Sequence, residues 1–573
     1  MTTKRHTLFL PMTRREMDAR GWRELDVLLI TGDAYFDHPS HGAAVIGRTL
    51  EAAGYRVGII ARPDWRFVEP FKVLGRPRLF VGVTAGAVDS IVNNYTAHMA
   101  KRKEDVYAPG GIGGGRPDMA TLVYANRVRE AFPKIPVILG GIEASLRRFA
   151  YFDTLRQNVR RSLLVDARAD LLVFGPGESQ AVAVAHRLSE GRSLAGIPGT
   201  AYLLQGHGAA PPEGSVPLPD FRDIEADPFA LVRQTTALEI GARPGSAAGF
   251  HQWYAEGVVI AAPRAEETVD TLDRTAALPF VREVHPLHEG KVPAFETVRW
   301  SIISHRGCPG GCSFCGLAVH QGREVISRSD DSILEEARIL SQTAGFRGTI
   351  TDVGGPTANA FGLERTDSGG CDTCRRVSCL HPKICRRLAP DSRRLLALLE
   401  RIKALPAVKH LFLASGIRHD LALETPDLID ALAEHYTGGH LKAAPEHVDQ
   451  SVLKLMRKPS IALFEEFEAG FLSASRRCRK EQYVVPYFIA GFVGSGPEAS
   501  RALEAWLAKR GQRLQQAQTF IPLAGTAAAA MYAARRDDRG DEIYVPDLKE
   551  RRRQKQAVTR TPTRRSKASP RKR

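Results

Sequence analysis

The sequence predicts an α/β protein in which a doubly wound parallel sheet is followed by a partial (β/α)6 barrel. Short continuous apolar runs alternate with helical patterns over residues 26–190, and a second series of such alternations begins at Phe295. Continuous apolar strands separated by helices are typical of parallel sheets that are covered on both faces. A chain of 573 residues is long enough for two or three domains.

The predicted N-terminal domain, residues 1–204, is a flavodoxin- or Rossmann-type layer. Its five apolar runs begin at Asp26, Arg56, Arg78, Pro136 and Ala169. Ligands of such sheets bind beyond the carboxyl ends of the strands. The first loop there, residues 32–42, contains a polar cluster that is either catalytic or a solvated, helix-capping loop; its members are Asp33, Asp37, His38 and His41.

Residues 205–290 are predicted to form a connector, because they begin with Pro, Gly and acidic residues and continue with two helical stretches. Residues 291–546 contain six successive strand–helix units, which predict the barrel, with a Cys-rich insertion at residues 364–390. By analogy with the eight-unit barrel, catalytic residues are expected at the carboxyl ends of its strands.

The net charge of +16 is concentrated at the C-terminus, where residues 547–573 are predicted to be a basic, disordered tail. From Lys549 to Arg573 there are twelve Lys or Arg and one acid, so this segment carries +11 and the rest of the chain +5. Such a tail is either solvated or a non-specific phosphate-binding arm for nucleic acid. No run approaches the roughly 18–20 apolar residues of a membrane span and no signal peptide is evident, so a cytoplasmic protein with no membrane partner is predicted.

Three cysteines after the first barrel strand, Cys308, Cys312 and Cys315, have the spacing Cys-x3-Cys-x2-Cys. A [4Fe–4S] cluster is ordinarily held by four Cys thiolates, so a loop that supplies three leaves one iron open to a small molecule. Zinc sites favour four ligands in paired spacing, which makes a partial zinc knuckle the weaker interpretation. The spacing is the signature of the radical S-adenosylmethionine (SAM) superfamily, in which the open iron binds SAM.

Two further strand ends contribute candidate SAM contacts, namely Gly354, Gly355 and Glu446. Adjacent glycines at the end of the second strand expose backbone carbonyls, although Gly-Gly-Pro is also an ordinary turn. The carboxylate at the end of the fourth strand could bind the ribose or the amino group of SAM, or could simply be solvated. No residue is assigned to catalysis on a substrate.

A second set of thiols lies in the predicted insertion, at Cys371, Cys374, Cys379 and Cys385. Four soft ligands within fifteen residues can close a structural zinc site or hold an auxiliary iron–sulfur cluster. The alternative is a group of inert cysteines. Clustered cysteines in a reduced compartment indicate metal ligands rather than disulfides.

Several phrases of the sequence resemble the YgiQ-type radical SAM proteins over roughly residues 8–546. They are Asp33-Ala-Tyr-Phe-Asp-His-Pro-Ser-His-Gly, Leu139-Gly-Gly-Ile-Glu-Ala-Ser-Leu-Arg-Arg, the cysteine motif, Asp352-Val-Gly-Gly-Pro-Thr-Ala-Asn, Ala414-Ser-Gly-Ile-Arg-His-Asp-Leu and Lys442-Ala-Ala-Pro-Glu-His. The resemblance implies one [4Fe–4S] cluster on three cysteines, SAM, an external electron donor such as flavodoxin or ferredoxin, and a barrel like that of the Elongator-catalytic-subunit, MiaB and NifB group.

The N-terminal layer also resembles cobalamin-binding domains, through Pro136-Val-Ile-Leu-Gly-Gly and Leu172-Val-Phe-Gly-Pro-Gly-Glu. Cobalamin is therefore a candidate cofactor. The Asp-x-His-x-x-Gly pattern that supplies an axial His is absent, because Asp37-His38 runs to Gly42 in another register. The segment Ile489-Ala-Gly-Phe-Val-Gly-Ser-Gly also departs from the Ser-Ala-His-Pro-Gly-Thr expected for the family.

These observations predict a radical SAM enzyme that reductively cleaves SAM to a 5′-deoxyadenosyl radical and acts on an unidentified substrate. The alternative is a non-catalytic, metal-stabilised nucleic-acid-binding protein with seven clustered cysteines and a basic tail. That alternative predicts zinc, a colourless protein and salt-dependent binding.

Overall fold

The structure is a computed structural model that describes residues 9–560 except 207–208, 367–368, 512–513 and 515–516. Its N-terminal half contains eleven strands. They are β1 (Val27–Thr31), β2 (Val57–Ala61), β3 (Phe80–Thr84), β4 (Val137–Gly140), β5 (Tyr151–Asp153), β6 (Asn158–Arg160), β7 (Leu171–Val173), β8 (Thr200–Leu204), β9 (Val216–Pro217), β10 (Phe250–Tyr254) and β11 (Gly257–Ala261).

Nine of these strands form one sheet in the order β2-β1-β3-β4-β7-β8-β11-β10-β9. The first five are parallel and have the flavodoxin-like order, whereas β8, β11 and β10 are joined antiparallel. Successive residues of β1 face opposite sides: Leu28 and Ile30 belong to one hydrophobic cluster, and Val27 and Leu29 to another. Burial on both faces explains the continuous apolar runs and confirms the predicted doubly wound sheet.

Helices cover this sheet. They are α1 (Arg14–Ala19), α2 (Gly42–Ala52), α3 (Ser90–Asn94), α4 (Ala120–Ala131), α5 (Gly141–Leu146), α6 (Leu163–Asp166), α7 (Glu178–Ser189), α8 (Phe221–Ala226), α9 (Phe229–Gly241) and α10 (Val269–Ala276), with 3-10 turns at Glu69–Phe71 and Pro109–Gly111. The segment predicted as a connector, residues 205–290, differs from that expectation. It contributes β9, β10 and β11 to the same sheet, because β11 pairs along the exposed edge of β8.

The second half contains a further eleven strands. They are β12 (Ser301–Ile303), β13 (His305–Arg306), β14 (Ile326–Ser327), β15 (Thr349–Ile350), β16 (Asp352–Gly354), β17 (Glu364–Arg365), β18 (Leu388–Ala389), β19 (His410–Leu411), β20 (His440–Glu446), β21 (Tyr483–Ala490) and β22 (Gln518–Thr519). Six successive parallel segments follow one another: β12 pairs with β16, β15 with β19, and β20 with β21, which pairs with β22. A parallel bridge between Ile417 and Ala443 joins the two groups. This is the predicted partial (β/α)6 barrel.

The helices of this half are α11 (Pro293–Val298), α12 (Gly316–Gln321), α13 (Asp330–Gln342), α14 (Arg393–Lys403), α15 (His419–Leu423), α16 (Pro426–Ala431), α17 (Gln450–Met456), α18 (Ile461–Arg477), α19 (Pro497–Lys509), α20 (Ala527–Ala534) and α21 (Leu548–Arg560), with a 3-10 turn at Ala358–Ala360 and a π-helical turn at Leu432–Tyr436. One hydrophobic cluster joins the barrel strands to α13, α14 and α18. Among the helices described, none has the length and apolar character needed to cross a membrane.

The prediction of a disordered tail from residue 547 is wrong for its first part, which forms α21. Arg551 and Val558 are each 1% exposed, and the Arg551 guanidinium donates to the Phe520 carbonyl oxygen over 3.0 Å. Gln554 accepts a hydrogen bond from the Gly491 amide and donates one to the Ser495 carbonyl. Tertiary contacts therefore hold this basic helix, and residues 561–573 lie outside the described part of the chain.

Candidate functional site

The three cysteines of the motif lie on a tight loop between β13 and α12, at the carboxyl end of the first barrel strand. Its glycines are required by geometry. Gly307 has φ +82°, and a Cβ there would lie 1.6 Å from the Glu324 carbonyl oxygen. Gly311 has φ +57°, and its Cβ would lie 2.4 Å from the Val377 carbonyl oxygen. No residue with a side chain fits at either position without displacing the backbone opposite.

The three cysteines of this loop are half-buried, and two of their thiols, those of Cys308 and Cys315, receive hydrogen bonds from backbone amides. Burial, followed by the neighbouring Cys312 and Cys308 thiols, raises the pKa of Cys315 to about 12. The amides of Leu317 and Ala318, in the first turn of α12, donate hydrogen bonds to Cys315. Burial likewise raises the pKa of Cys308, against a hydrogen bond from the Gly310 amide. Such thiols are neutral at pH 7 without a ligand, so they need a cationic or metal partner to ionise.

A buried ion pair lies directly beside the loop. A guanidinium nitrogen of Arg418 is 3.8 Å from the Cys312 sulfur, and the same side chain donates to Asp420 over 2.9 Å. Arg418 is 8% exposed and Asp420 6%. The Asp420 carboxylate fixes the guanidinium, so that its positive charge faces the thiols. Partly buried thiols with amide donors and an adjacent cation fit an anionic iron–sulfur cluster.

Glu446 lies at the end of β20 and has the left-handed φ of +70°. Burial raises the pKa of its carboxyl group, while the charges of Lys458 and Arg418 lower it. The Lys458 ammonium nitrogen is 3.9 Å from a Glu446 carboxylate oxygen. Glu446 and the cysteine loop therefore lie on the same side of the barrel. The charge of Arg418 acts on both, because it lowers the pKa of Glu446 and its guanidinium is beside the Cys312 sulfur.

Gly354 and Gly355 end β16, and both are packed closely. A Cβ on Gly354 would lie 2.0 Å from the Ser415 hydroxyl oxygen, and one on Gly355 would lie 2.7 Å from the His305 carbonyl oxygen. The Gly354 carbonyl oxygen accepts a hydrogen bond from the Ser304 amide over 2.8 Å. Close packing thus accounts for both glycines, and a SAM contact there would use the second lone pair of the carbonyl oxygen.

The Cys-rich insertion packs on the cysteine loop. The Cys379 amide donates to the Pro309 carbonyl over 3.0 Å, and the Ser378 hydroxyl donates to the Gly310 carbonyl over 2.6 Å. Cys371, Cys379 and Cys385 line one small cavity. An Arg323 guanidinium nitrogen lies 3.3 Å from the Cys379 sulfur.

Within the described residues, no three His, Cys, Asp or Glu side chains are grouped so that they could hold a single metal ion. Thiolates on one zinc would lie about 3.8 Å apart, given Zn–S bonds of about 2.3 Å. The thiols of the insertion are therefore not assembled into a closed zinc site, and a second metal stays a prediction. In a cubane cluster each thiolate binds a different iron, so the ligands of that group are spaced more widely.

No sequence motif predicted a role for Arg418, Asp420 or Lys458. The first two lie inside the phrase Ala414-Ser-Gly-Ile-Arg-His-Asp-Leu, which carries part of the family resemblance. The signal that could have identified Arg418 and Asp420 is their spacing, two residues apart at the end of a barrel strand.

Comparison with known proteins decides the family. Residues 9–301 match the model described as Radical SAM N-terminal, and residues 302–495 match the Radical SAM superfamily. A UPF0313 protein of Geobacter sulfurreducens is 44% identical over 543 residues, covering 94% of this chain and 90% of that protein. The chain belongs to the YgiQ-type (UPF0313) radical SAM family. A UPF0313 protein of Thermotoga maritima is 45% identical over 559 residues, covering 96% and 98%.

The predicted cofactors of the family, a [4Fe–4S] cluster and SAM, are thereby confirmed at the level of the superfamily. Solved structures are similar at lower identity. The radical SAM methyltransferase TsrM from Kitasatospora setae, with a tryptophan substrate and a SAM analogue bound, is 16% identical, with a TM-score of 0.49 over 91% of this chain and 86% of that one. The radical enzyme OxsB with aqua-cobalamin bound is 9% identical, with a TM-score of 0.47 over 91% and 56%.

Proposed function

We propose that this protein is a radical SAM enzyme whose cluster is held by Cys308, Cys312 and Cys315. The observation that carries the proposal is that three partly buried thiols share one loop, with backbone amides donating to Cys308 and Cys315 and the Arg418 guanidinium beside Cys312. When bound, the cluster would supply the electron that cleaves SAM into methionine and a 5′-deoxyadenosyl radical. The electron itself comes from an external donor such as flavodoxin or ferredoxin.

The residues of the chain would bind and orient the reagents and exclude water. Arg418, held by Asp420, balances the negative charge of the thiolates. Glu446 would accept a hydrogen bond from the amino group or the ribose of SAM, and the charge of Lys458 opposes the burial that raises the pKa of its carboxyl group. The carbonyl oxygens of Gly354 and Gly355 would add acceptors for the amino group. The substrate on which the radical acts is not assigned.

Anaerobic reconstitution with iron and sulfide, followed by detection of 5′-deoxyadenosine on addition of SAM and a low-potential reductant, tests the proposal. Cys312→Ala should abolish both the brown colour of the loop cluster and 5′-deoxyadenosine. The matched control is Cys478→Ala, since Cys478 ends α18 and lies outside both cysteine sets. A Cys312→Ala protein that cleaves SAM at the wild-type rate would contradict the assignment of the loop cysteines as cluster ligands. The alternative of a non-catalytic nucleic-acid-binding protein predicts zinc and no cleavage in every preparation, and nothing in the family match favours it.

A further inference from the structure

A cavity of about 300 Å³ lies at the carboxyl edge of the N-terminal sheet, where that edge meets the barrel. It is lined by Thr31 and Asp33, which end β1, and by Thr84 and Gly86, which end β3. The strand order reverses between β1 and β3, because β2 lies on one side of β1 and β3 on the other. Ligands of open α/β sheets bind at this switch point, and about 300 Å³ is the size of a small-molecule site.

The inner part of the cavity is an apolar slot between the sheet and two helices. Leu29, Ile138 and Val173 form the sheet side, and Ile46 of α2 and Ala181 of α7 form the helix side. Gly140 has nothing within 4 Å of the position that a Cβ would occupy, so open space faces it. A flat aromatic ring fits such a slot, because it fills a narrow space while burying both of its faces.

The outer part of the cavity presents hydrogen-bond donors. Helix α2 begins here with Gly42 and Ala43, and its N-cap residue, His41, makes no capping hydrogen bond through its side chain. The backbone amides of the first turn therefore face the cavity with the positive end of the helix dipole, which is an anion-binding arrangement. Asp33 and Glu178 line the same cavity, but each is neutralised by an arginine, Arg116 and Arg306 respectively.

His41 supplies a second and independent observation. Its ring is 1% exposed, lines the cavity and donates to the backbone of Phe36, which leaves the other ring nitrogen without a hydrogen-bond partner among the described residues. The nearest carboxylate oxygen, on Asp33, is 4.0 Å from Nε2. Burial lowers the pKa of His41, although Asp33 and Asp37 act in the opposite direction. A neutral imidazole whose acceptor nitrogen is unsatisfied is costly to bury unless a ligand completes its hydrogen bonds.

We propose that this cavity binds a nucleotide-type group of a second cofactor. Its heteroaromatic base lies in the slot between the sheet and helices α2 and α7, its phosphate lies at the start of α2, and His41 hydrogen-bonds to it. A corrinoid with its nucleotide tail and a flavin mononucleotide both carry such a group, and these are the two cofactors that the experiment distinguishes. Ile303, Leu317 and Gln321 of the barrel form the far wall of the cavity, so the rest of the cofactor faces the helix that follows the cysteine loop.

The experiment measures binding of four probes to the full-length protein by equilibrium dialysis: FMN, hydroxocobalamin, cobinamide and AMP. Cobinamide has the corrin ring but lacks the nucleotide tail. Tight binding of FMN identifies a flavin site. Binding of hydroxocobalamin at least about tenfold tighter than of cobinamide identifies a corrinoid held by its tail. If FMN does not bind, equal affinity for the two corrinoids overturns the proposal, as does binding of AMP alone or of none of the four probes.

Two variants locate the site. Gly140 has φ −155°, an extended conformation open to any residue, so Gly140→Leu should fold and fill the slot. It should reduce binding at least about tenfold, whereas Gly439→Leu, at an exposed glycine that also faces open space, should not. His41→Phe keeps the ring and removes its nitrogens, so it should weaken binding without lowering the unfolding temperature. Unchanged affinity in both Gly140→Leu and His41→Phe contradicts the assignment.

A failure of this inference can be distinguished from a failure of the proposed function. Because the cavity contains none of the three loop cysteines, the Cys312→Ala protein should bind the probe as the wild type does. If 5′-deoxyadenosine forms and no probe binds, this inference alone fails.

Discussion

Replacing Arg418 with Met should strongly destabilise the barrel, because it leaves Asp420 buried without its cation. Burial raises the pKa of Asp420, but the charge and hydrogen bonds of Arg418 outweigh burial and lower it from 3.8 to about 2. That shift corresponds to about 2 kcal/mol in favour of the charged form. Removing one partner of a buried pair usually costs more, about 3–5 kcal/mol, because an uncompensated charge remains.

The pH dependence gives the sharper test. In the wild type the contribution of Asp420 is present above pH 3.8 and is lost as the pH falls through about 2. In Arg418→Met, burial without the guanidinium should raise the pKa of Asp420 above its ordinary value, despite the remaining Lys458. The variant should therefore be most destabilised at pH 8 and recover as the pH is lowered toward 5, where the carboxyl group becomes neutral.

Denaturant unfolding of the cluster-free protein between pH 5 and 8 measures this effect. Arg393→Met is the matched control, because the side chain of Arg393 is 78% exposed in its pair with Asp391, and surface pairs contribute about 0–1 kcal/mol. The double variant Arg418→Met/Asp420→Leu should regain most of the lost stability, since neither charge remains. An Arg418→Met protein as stable as the wild type across this range, or a double variant no better than the single, would refute the reasoning.

Three further predictions follow from the same geometry. Truncation after Asp547 should lower the free energy of unfolding by about 2 kcal/mol or more, because it removes the buried Arg551 and Val558. Truncation after Arg560 is the control and should leave the free energy of unfolding unchanged. Equal denaturation midpoints for the two truncated proteins would show that α21 does not stabilise the fold. Glu446→Gln should weaken SAM binding by about 10- to 100-fold in calorimetry, with the exposed Glu434→Gln as control, and unchanged affinity would remove Glu446 from the SAM site. The Cys308/Cys312/Cys315→Ala triple variant should retain metal if Cys371, Cys374, Cys379 and Cys385 bind it, and elemental analysis showing none would leave those cysteines structural.

The parallel strands could be predicted because their signal is local. Each is a continuous apolar run, and burial on both faces requires that pattern at β1, β2, β3 and β4. Of the strands added beyond β8, β9 and β10 carry weaker signals: β9 has two residues, and β10 includes His251 and Trp253. Their pairing depends on the free edge of β8, which no local pattern reveals.

Helix α21 could not be predicted for a related reason. Its sequence has almost no large apolar side chain, so composition favours disorder. What holds it is the desolvated stem of Arg551 and the paired hydrogen bonds of Gln554, both made to residues at least thirty positions away. Long polar side chains can bury extensive surface when their polar ends find partners.

The candidate site likewise combines residues that a local sequence pattern predicts with residues that only the fold brings together. Spacing alone predicted the three cysteines, because one short loop must supply all three ligands. The Arg418–Asp420 pair is separated from Cys312 by about a hundred residues and comes together with it only because parallel strands of a barrel place their carboxyl ends at one rim. Charge partners of a metal site in this fold are therefore expected on other strand ends rather than beside the ligands in sequence.

Helix α12 connects the cysteine loop to the cavity of the N-terminal domain. The Leu317 amide donates to Cys315, while the same residue lines the cavity proposed for a second cofactor. Hydrogen bonds to the sulfur ligands are among the features that set the reduction potential of an iron–sulfur cluster. A molecule that fills the cavity and shifts Leu317 would therefore alter a hydrogen bond to a cluster ligand. The six-residue helix α12 thus belongs to both sites, because one of its residues lines the cavity and also bonds a cluster ligand.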